Sequence, residues 1–208
     1  MLQPFPRSIS KAEINELPLI RFTERVHLVT TGAALQLAVR RLSQEQLLGF
    51  DTESRPSFRK GQNFPVSLVQ LAGSEGVYLI QLGRVGNLSA LVPLLENPAI
   101  IKAGVALHDD VRRLREVVPF EAGGFAEVSD LSRDLGVENT GLRPLAALFM
   151  NGRISKGAQL SNWAKPRLSR KQIIYAATDA WVSRELYRIV AGYLHRGTDP
   201  DDGLGDEA

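Results

Sequence analysis

Gln46-Leu-Leu-Gly-Phe-Asp51-Thr-Glu53 is a short apolar run that closes on two acids. A run of this length and character suits a buried strand. Its C-terminal end delivers Asp51 and Glu53 where sheet proteins that alternate strands with helices gather their ligands. Residues i and i+2 on extended backbone point the same way, so both carboxylates can reach one ion. An acid-x-acid pair arises roughly three times by chance in such a chain, so its location tells more than its existence. Residues 54–63 then read as a loop, and residues 65–71 and 76–81 as two further strands around the turn signal Gly73-Ser-Glu-Gly76. Together the three segments predict an antiparallel meander.

Working outward, residues 26–30 read as a first strand and 33–43 as a helix with Leu35, Val39 and Leu42 at helical spacing. Residues 1–25 are irregular and contain proline, with a capping box at Ser10 and Glu13, and are expected to form an extension packed on or near the main domain. Downstream, residues 88–96 read as a helix, 100–106 as a strand, 108–118 as a helix and 125–131 as a strand. A helix follows over 142–150, where Pro144 fits the first turn. A polar connector over 151–167 carries Trp163, which is expected to pack it against the last helix. Ser169 and Gln172 form a second capping box that opens the longest helical pattern, running toward His195. Strands first, then strands alternating with helices, give an α/β fold: a mixed sheet, antiparallel meander plus parallel strands, flanked by helices.

The 208 residues suit one large domain, placed at 26–196, and are 44% hydrophobic and 23% charged, enough to bury a full core. The absence of cysteine excludes disulfides, zinc–thiolate sites and a catalytic thiol. His27, His108 and His195 lie far apart with no His-x3-His pair, so a metal would take oxygen ligands, which favours magnesium or manganese. Residues 197–208 hold five acids and no Lys or Arg and read as a disordered acidic tail. Without them the chain has 25 basic against 18 acidic residues, a balance compatible with a polyanionic partner. The N-terminus lacks a signal-peptide layout and no apolar run approaches membrane-spanning length, which predicts a cytoplasmic protein.

Two more features carry chemistry. His108-Asp109-Asp110 opens a helix, where one acid suits a cap and the other a ligand. Tyr175 and Asp179 are four residues apart on the last helix, one turn above the other, so a phenol and a carboxylate can share a water and an ion. Alone, a Tyr-x3-Asp pair would arise about one time in five from this composition. Its weight comes from the strand-end acids and the helix-start acid that precede it. Asp130 and Asp134 read as caps or turn residues.

With these in place the chain resembles the DEDD superfamily of 3′–5′ exonucleases, in the subgroup with a tyrosine in its third motif, which includes ribonuclease D and the exonuclease domain of the Werner syndrome helicase. Gly49-Phe-Asp-Thr-Glu53 resembles the first motif and Lys102-Ala-Gly-Val-Ala-Leu-His-Asp-Asp-Val-Arg-Arg-Leu114 the second, with Asp110 at its metal-linked position. Ser161-Asn-Trp163 and Leu168 to Ala180 resemble the third, and Pro65-Val-Ser-Leu-Val-Gln-Leu71 the family's second strand. The resemblance runs from about Val26 to Tyr193. It implies a ribonuclease H-like sheet and two divalent cations, Mg2+ or Mn2+. Asp51 would bridge them, Glu53 and Asp179 would complete one site, Asp110 would hold the second ion, and Tyr175 would orient the attacking water. It implies a single-stranded 3′ end as substrate, RNA or DNA, cleaved to nucleoside 5′-monophosphates. Candidate substrate contacts are Thr52, Glu53, Ser54 and His108 beside the motifs, and Phe58, Arg59, Lys60 and Phe64 in the following loop. Phe58 and Phe64 suit core packing equally well. Ser54 stands where the Werner-type domain has a tryptophan, and the extra helical domains of ribonuclease D have no counterpart, so a stand-alone nuclease domain is expected. Two other readings use the same residues. One is a non-catalytic nucleic-acid-binding module, and the other is a nucleotide phosphohydrolase, which calls for a small closed pocket.

Overall fold

The computed structural model describes residues 5–57, 59 and 62–197. In chain order the elements are α1 Lys11–Glu16, β1 Val26–Val29, α2 Gly32–Leu42, β2 Leu47–Ser54, β3 Val66–Gly73, β4 Gly76–Gln81, α3 Leu82–Val85 and α4 Val92–Glu96, with a 3-10 turn at Ser89–Leu91. There follow β5 Ile101–Gly104, α5 Leu107–Arg115, β6 Phe125–Glu127, α6 Val128–Asp134, α7 Leu142–Met150 and α8 Arg170–Gly197. The six strands make one sheet in the order β1-β4-β3-β2-β5-β6. β2, β3 and β4 pair antiparallel as the expected meander, while β1, β5 and β6 join in parallel.

β2 lies inside the sheet, between β3 and β5, and is covered on both faces. Leu48 and Phe50 are fully buried in one apolar layer with Leu35, Leu42, Val69, Leu71, Ile80 and Leu114. The alternate residues of the meander, Leu68, Ala72, Val77 and Leu79, pack with Trp163 and with Ala176, Ala177 and Ala180 of α8. Two-residue alternation thus sends odd and even positions to different helical layers, except at Val66, where the register shift opposite Glu53 and Ser54 returns the side chain to the first layer. Small residues on α8 let it lie close to the sheet, and Gly49 makes the closest approach. A Cβ at position 49 would stand 1.9 Å from the Ala180 carbonyl oxygen and 2.9 Å from Arg184. No side chain fits between β2 and α8 there.

Both capping boxes form. Ser10 accepts from the Glu13 amide while the Glu13 carboxylate accepts from the Ser10 amide, and Ser169 and Gln172 do the same at the start of α8. Trp163 is fully buried, its ring centroid 5.8 Å from that of Tyr175, so it packs the connector onto α8 as expected. The N-terminal segment also reaches α8: Phe5 packs edge-on against Tyr193, and the Phe22 amide donates to Thr178 Oγ1 at 3.0 Å. Leu19 bridges to Arg153, and the Ile20 amide donates to the Arg153 carbonyl at 2.9 Å.

The structure corrects three expectations. The strand expected over 125–131 stops at Glu127, because the Glu127 carboxylate accepts from the Ser129 amide and starts α6. The helix expected at 88–96 is a 3-10 turn followed by α4, and α3 precedes it unannounced. Neither Asp109 nor Asp110 caps α5. Its cap residue, Ala106, is in the left-handed region at φ 62° without a side-chain bond of its own, and Glu127 again supplies the acceptor, taking the Ala106 and Leu107 amides at 2.9 and 2.7 Å. Of the tail expected over 197–208, all but Gly197 lies outside the described residues. Among the described residues no helix is long and apolar enough to cross a membrane.

Candidate active site

The C-terminal end of β2 and the first third of α8 meet in a cluster of acids. One carboxylate oxygen each from Asp51, Glu53 and Asp179 lies within 4.8 Å of the other two. Asp51 and Glu53 alternate on β2 with Gly49, so all three share the face turned to α8. The missing side chain at Gly49 is what lets the turn of α8 carrying Asp179 come down beside them. A single physical requirement, close helix–strand contact, therefore sits two residues before the first acid.

Asp110 approaches from the other side. It lies in the first turn of α5 and accepts a 2.5 Å hydrogen bond from Thr52 Oγ1. Thr52 is buried and Asp110 half-buried, whereas the neighbouring Asp109 is exposed and pairs with Arg112 at 3.2 Å. Asp110 thus lies beside the three-acid cluster, near enough to raise the pKa of Asp51 and Glu53, and Asp109 belongs to the solvated face of α5. His108 is exposed. It lies about 200° around the helix axis from Asp110, and it is not among the residues lining the depression described below.

Burial first, and for most members the neighbouring negative charges after it, raises the pKa of every member. Burial, then the charges of Asp179, Asp110 and Glu53, push Asp51 well above the usual carboxylate range. Glu53 is pushed up to about 9 by burial and by Asp179 and Asp110, against the pull of Arg113. Burial takes Asp179 to about 7, opposed by its hydrogen-bonding interaction with Tyr175. Asp110 rises to about 6, again through burial, with the Thr52 bond and Arg113 acting to lower it. Burial and the charges of Asp179 and Glu53 raise the Tyr175 phenol above its ordinary value, so it keeps its proton at neutral pH and acts as a donor. Four acids with one nearby guanidinium are short of positive charge. An oxygen-only donor set of this kind fits hard divalent cations, and Asp51, Glu53 and Asp179 are the residues that would hold one, with Asp110 beside them.

Three polar residues outside the expected set complete the arrangement. Gln70, fully buried, is the cross-strand partner of Asp51. With its amide turned to donate, it gives hydrogen bonds of 2.9 Å to Asp51 Oδ2 and 3.3 Å to the Asp51 carbonyl. Arg113, one helical turn after Asp110, donates to Ser54 Oγ at 2.8 Å and to the Phe64 carbonyl at 2.7 Å, tying the end of β2 to the approach of β3. Glu127 fixes where α5 begins, and so where Asp110 stands. Gln70 had a readable signal, a lone amide inside the run Pro65-Val-Ser-Leu-Val-Gln-Leu71. Arg113 and Glu127 had none beyond their charge.

Depressions flank the cluster on both sides. Thr52, Glu53, Ser54, Arg55, Phe64, Arg113, Gln159 and Leu160 are among the residues lining an open one of about 720 Å³. Its neighbour, of about 380 Å³, shares Arg55, Pro56, Gln62 and Phe64 with it and adds Arg59 and Asn162. Arg59 is exposed, and the half-buried Phe64 ring lies 4.6 Å beneath the Arg55 guanidinium. Phe58 and Lys60 lie outside the described residues. On the opposite side, a cavity of about 310 Å³ is lined by Tyr175 and Asp179 together with Leu19 to Arg21, Ala158 and Lys171.

Residues 26–193 match a family model described as 3′–5′ exonuclease. Ribonuclease D of Haemophilus influenzae is 32% identical over 164 residues, which cover 78% of this chain and 40% of that protein. The bifunctional 3′–5′ exonuclease/ATP-dependent helicase WRN of Mus musculus is 31% identical over 160 residues, 71% of this chain and 11% of that protein. The chain therefore spans two-fifths or less of the length of these two relatives. Among solved structures, the EXO domain of Aedes aegypti Nibbler superposes with a TM-score of 0.78 at 23% identity, covering 86% of this chain and 94% of that one, which shows the shared fold.

Proposed function

Because the chain belongs to the 3′–5′ exonuclease family, we propose that it removes nucleotides one at a time from the 3′ end of a single-stranded nucleic acid by metal-assisted hydrolysis, releasing nucleoside 5′-monophosphates. The observation that carries this reading is the convergence of Asp51, Glu53 and Asp179 within 4.8 Å. Two divalent cations, Mg2+ or Mn2+, would supply an activated water and stabilise the leaving oxygen at neutral pH. Asp51, Glu53 and Asp179 would hold one and Asp51 with Asp110 the other.

The chain's own residues set the geometry. Gln70, beside Asp51 on the neighbouring strand, holds its carboxylate in one orientation. Tyr175, protonated and one turn before Asp179, donates toward the attacking water and positions it, with no call on it to take a proton. Glu53 lines the open depression and is placed to accept a hydrogen bond from a terminal 3′-hydroxyl, which selects chain ends. Ser54, Phe64 and Arg113 form one hydrogen-bonded unit at the wall of that depression, and Arg55 and Arg59 provide cations for the backbone phosphates. Thr52 acts through Asp110. An open depression of about 720 Å³ beside Glu53 favours a polymer over a free nucleotide, which a small closed pocket would suit better.

The test is a 5′-labelled oligonucleotide, as RNA and as DNA, incubated with manganese beside Asp51→Ala and Asp179→Ala. A ladder descending by single nucleotides, lost in both variants, is the expected outcome, and the faster polymer names the substrate. Intact oligonucleotide with either polymer would sink the exonuclease reading.

A further inference from the structure

Leu160 is 74% exposed, the most exposed large apolar side chain among the described residues. A lone leucine at the surface is unremarkable. This one lines the depression that holds Glu53, which the Arg55–Phe64 pair also lines. It is also held there by firmly placed neighbours. Ala158 is buried at 4% exposure and Trp163 at 0%. The Ser161 amide donates to the Ala158 carbonyl at 2.9 Å, the Gln159 amide to the Lys156 carbonyl at 3.2 Å, and Gln172 of α8 donates to the Asn162 carbonyl. The connector turn is thus anchored on both sides of one residue whose apolar side chain stands out in water in an arginine-bearing groove.

Resting on the exonuclease reading, we propose that Leu160 is a base-contacting residue: an apolar platform that packs against the face of a nucleobase at the 3′ end. The Arg55–Phe64 stack, in the lining of the same depression, offers the base a second surface. A nucleobase offers an apolar face whatever its sequence, and burying that face against a leucine and an arginine-capped ring suits recognition of any unpaired base. The backbone phosphate is left to Arg55 and Arg59, for which no carboxylate partner occurs among the described residues. A paired terminal base has its face covered by its neighbour in the stack, so this platform would also favour single strands over duplex ends. The ligand class is an unpaired nucleobase of either polymer, and the contact lies outside the acidic cluster.

The test is a cycle between side chain and base. Leu160→Ala is compared with the unaltered protein on two oligonucleotides, one ordinary and one whose last two nucleotides are abasic. About a tenfold loss in kcat/KM is expected on the ordinary end, carried by KM more than kcat, with a far smaller loss on the abasic end. Leu160→Phe should restore the ordinary end. Equal losses on both ends, or no loss on either, would overturn the proposal. The same cycle is read by fluorescence anisotropy as binding, on an Asp51→Asn background that needs no turnover. Failure of the exonuclease reading, in which no protein shortens any end, is thus distinguishable from failure of the base contact. Unchanged thermal unfolding of Leu160→Ala separates both from a folding defect.

Discussion

Tyr175 illustrates how a side chain's protonation fixes its role. A phenol raised above its ordinary value by burial and adjacent carboxylates is a poor base and a dependable donor. Tyr175→Phe removes that donor and little else, since the ring still packs on Trp163. Turnover is expected to fall about a hundredfold, while the manganese-induced rise in unfolding temperature stays largely intact. Equal loss of both would show that the hydroxyl helps build the metal site itself. At this scale the sequence was informative wherever chemistry demanded a rare residue in a recognisable place. Asp51, Glu53, Asp110, Tyr175 and Asp179 all lay at element ends or on one helical face. Gln70 was quoted as part of a strand without a role, because an amide's partner is across the sheet and register cannot be read from one strand alone. Thr52 stands beside the motif acids, and its hydroxyl is engaged with Asp110, a partner no local pattern announces.

Among the elements, β2 and α8 matter most, and Gly49 is where they touch. Gly49→Ala would set a methyl group against the Ala180 carbonyl, a contact that flexible side chains cannot relieve. We expect Gly49→Ala to lower the unfolding temperature by several degrees. Where it folds, it should lose metal-dependent stabilisation as well, because α8 can only move away from Asp51 and Glu53. Retention of the full manganese effect would show that α8 finds Asp179's position without this contact. β2 was legible from its short apolar run, α2 from apolar residues at helical spacing, and α8 from a capping box that opens a long helical pattern. The stretch after Phe125 was misread for a definite reason: Glu127 ends a strand by capping the helix that follows, and its carboxylate also serves α5, twenty residues earlier in the chain. A cap supplied from elsewhere in the fold leaves no local signal.

Across the whole molecule, the acid cluster links stability to pH. Asp110, Asp179 and Glu53 have folded pKa values of about 6, 7 and 9, above their ordinary values of 3.8, 3.8 and 4.5, and Asp51 is raised as well. The folded state therefore binds protons that the unfolded chain has released. For these groups stability is fullest below about pH 4 and is lost as pH climbs through roughly 4 to 9. A divalent cation held by these acids, as proposed, would replace those protons and reverse the loss. In chelator, the unfolding temperature should decline from pH 5.5 to pH 8.5, with a shallower slope in Asp179→Asn. Manganese should raise it by several degrees more at pH 8.5 than at pH 5.5. A manganese effect independent of pH would count against cation binding by these acids. The mixed sheet and its flanking helices were readable from the order of elements, while the placement of β1 beside β4 depended on long-range pairing that no local pattern carries.

The Phe22 amide, four residues before the matched region begins at Val26, bonds to Thr178, the neighbour of Asp179. The stretch that matches the family and the stretch that steadies the turn carrying Asp179 are therefore not the same. Relatives that share every acid yet diverge ahead of Val26 would inherit the chemistry with a differently held helix. Differences in rate among such relatives should then be sought ahead of Val26 as well as in the motifs.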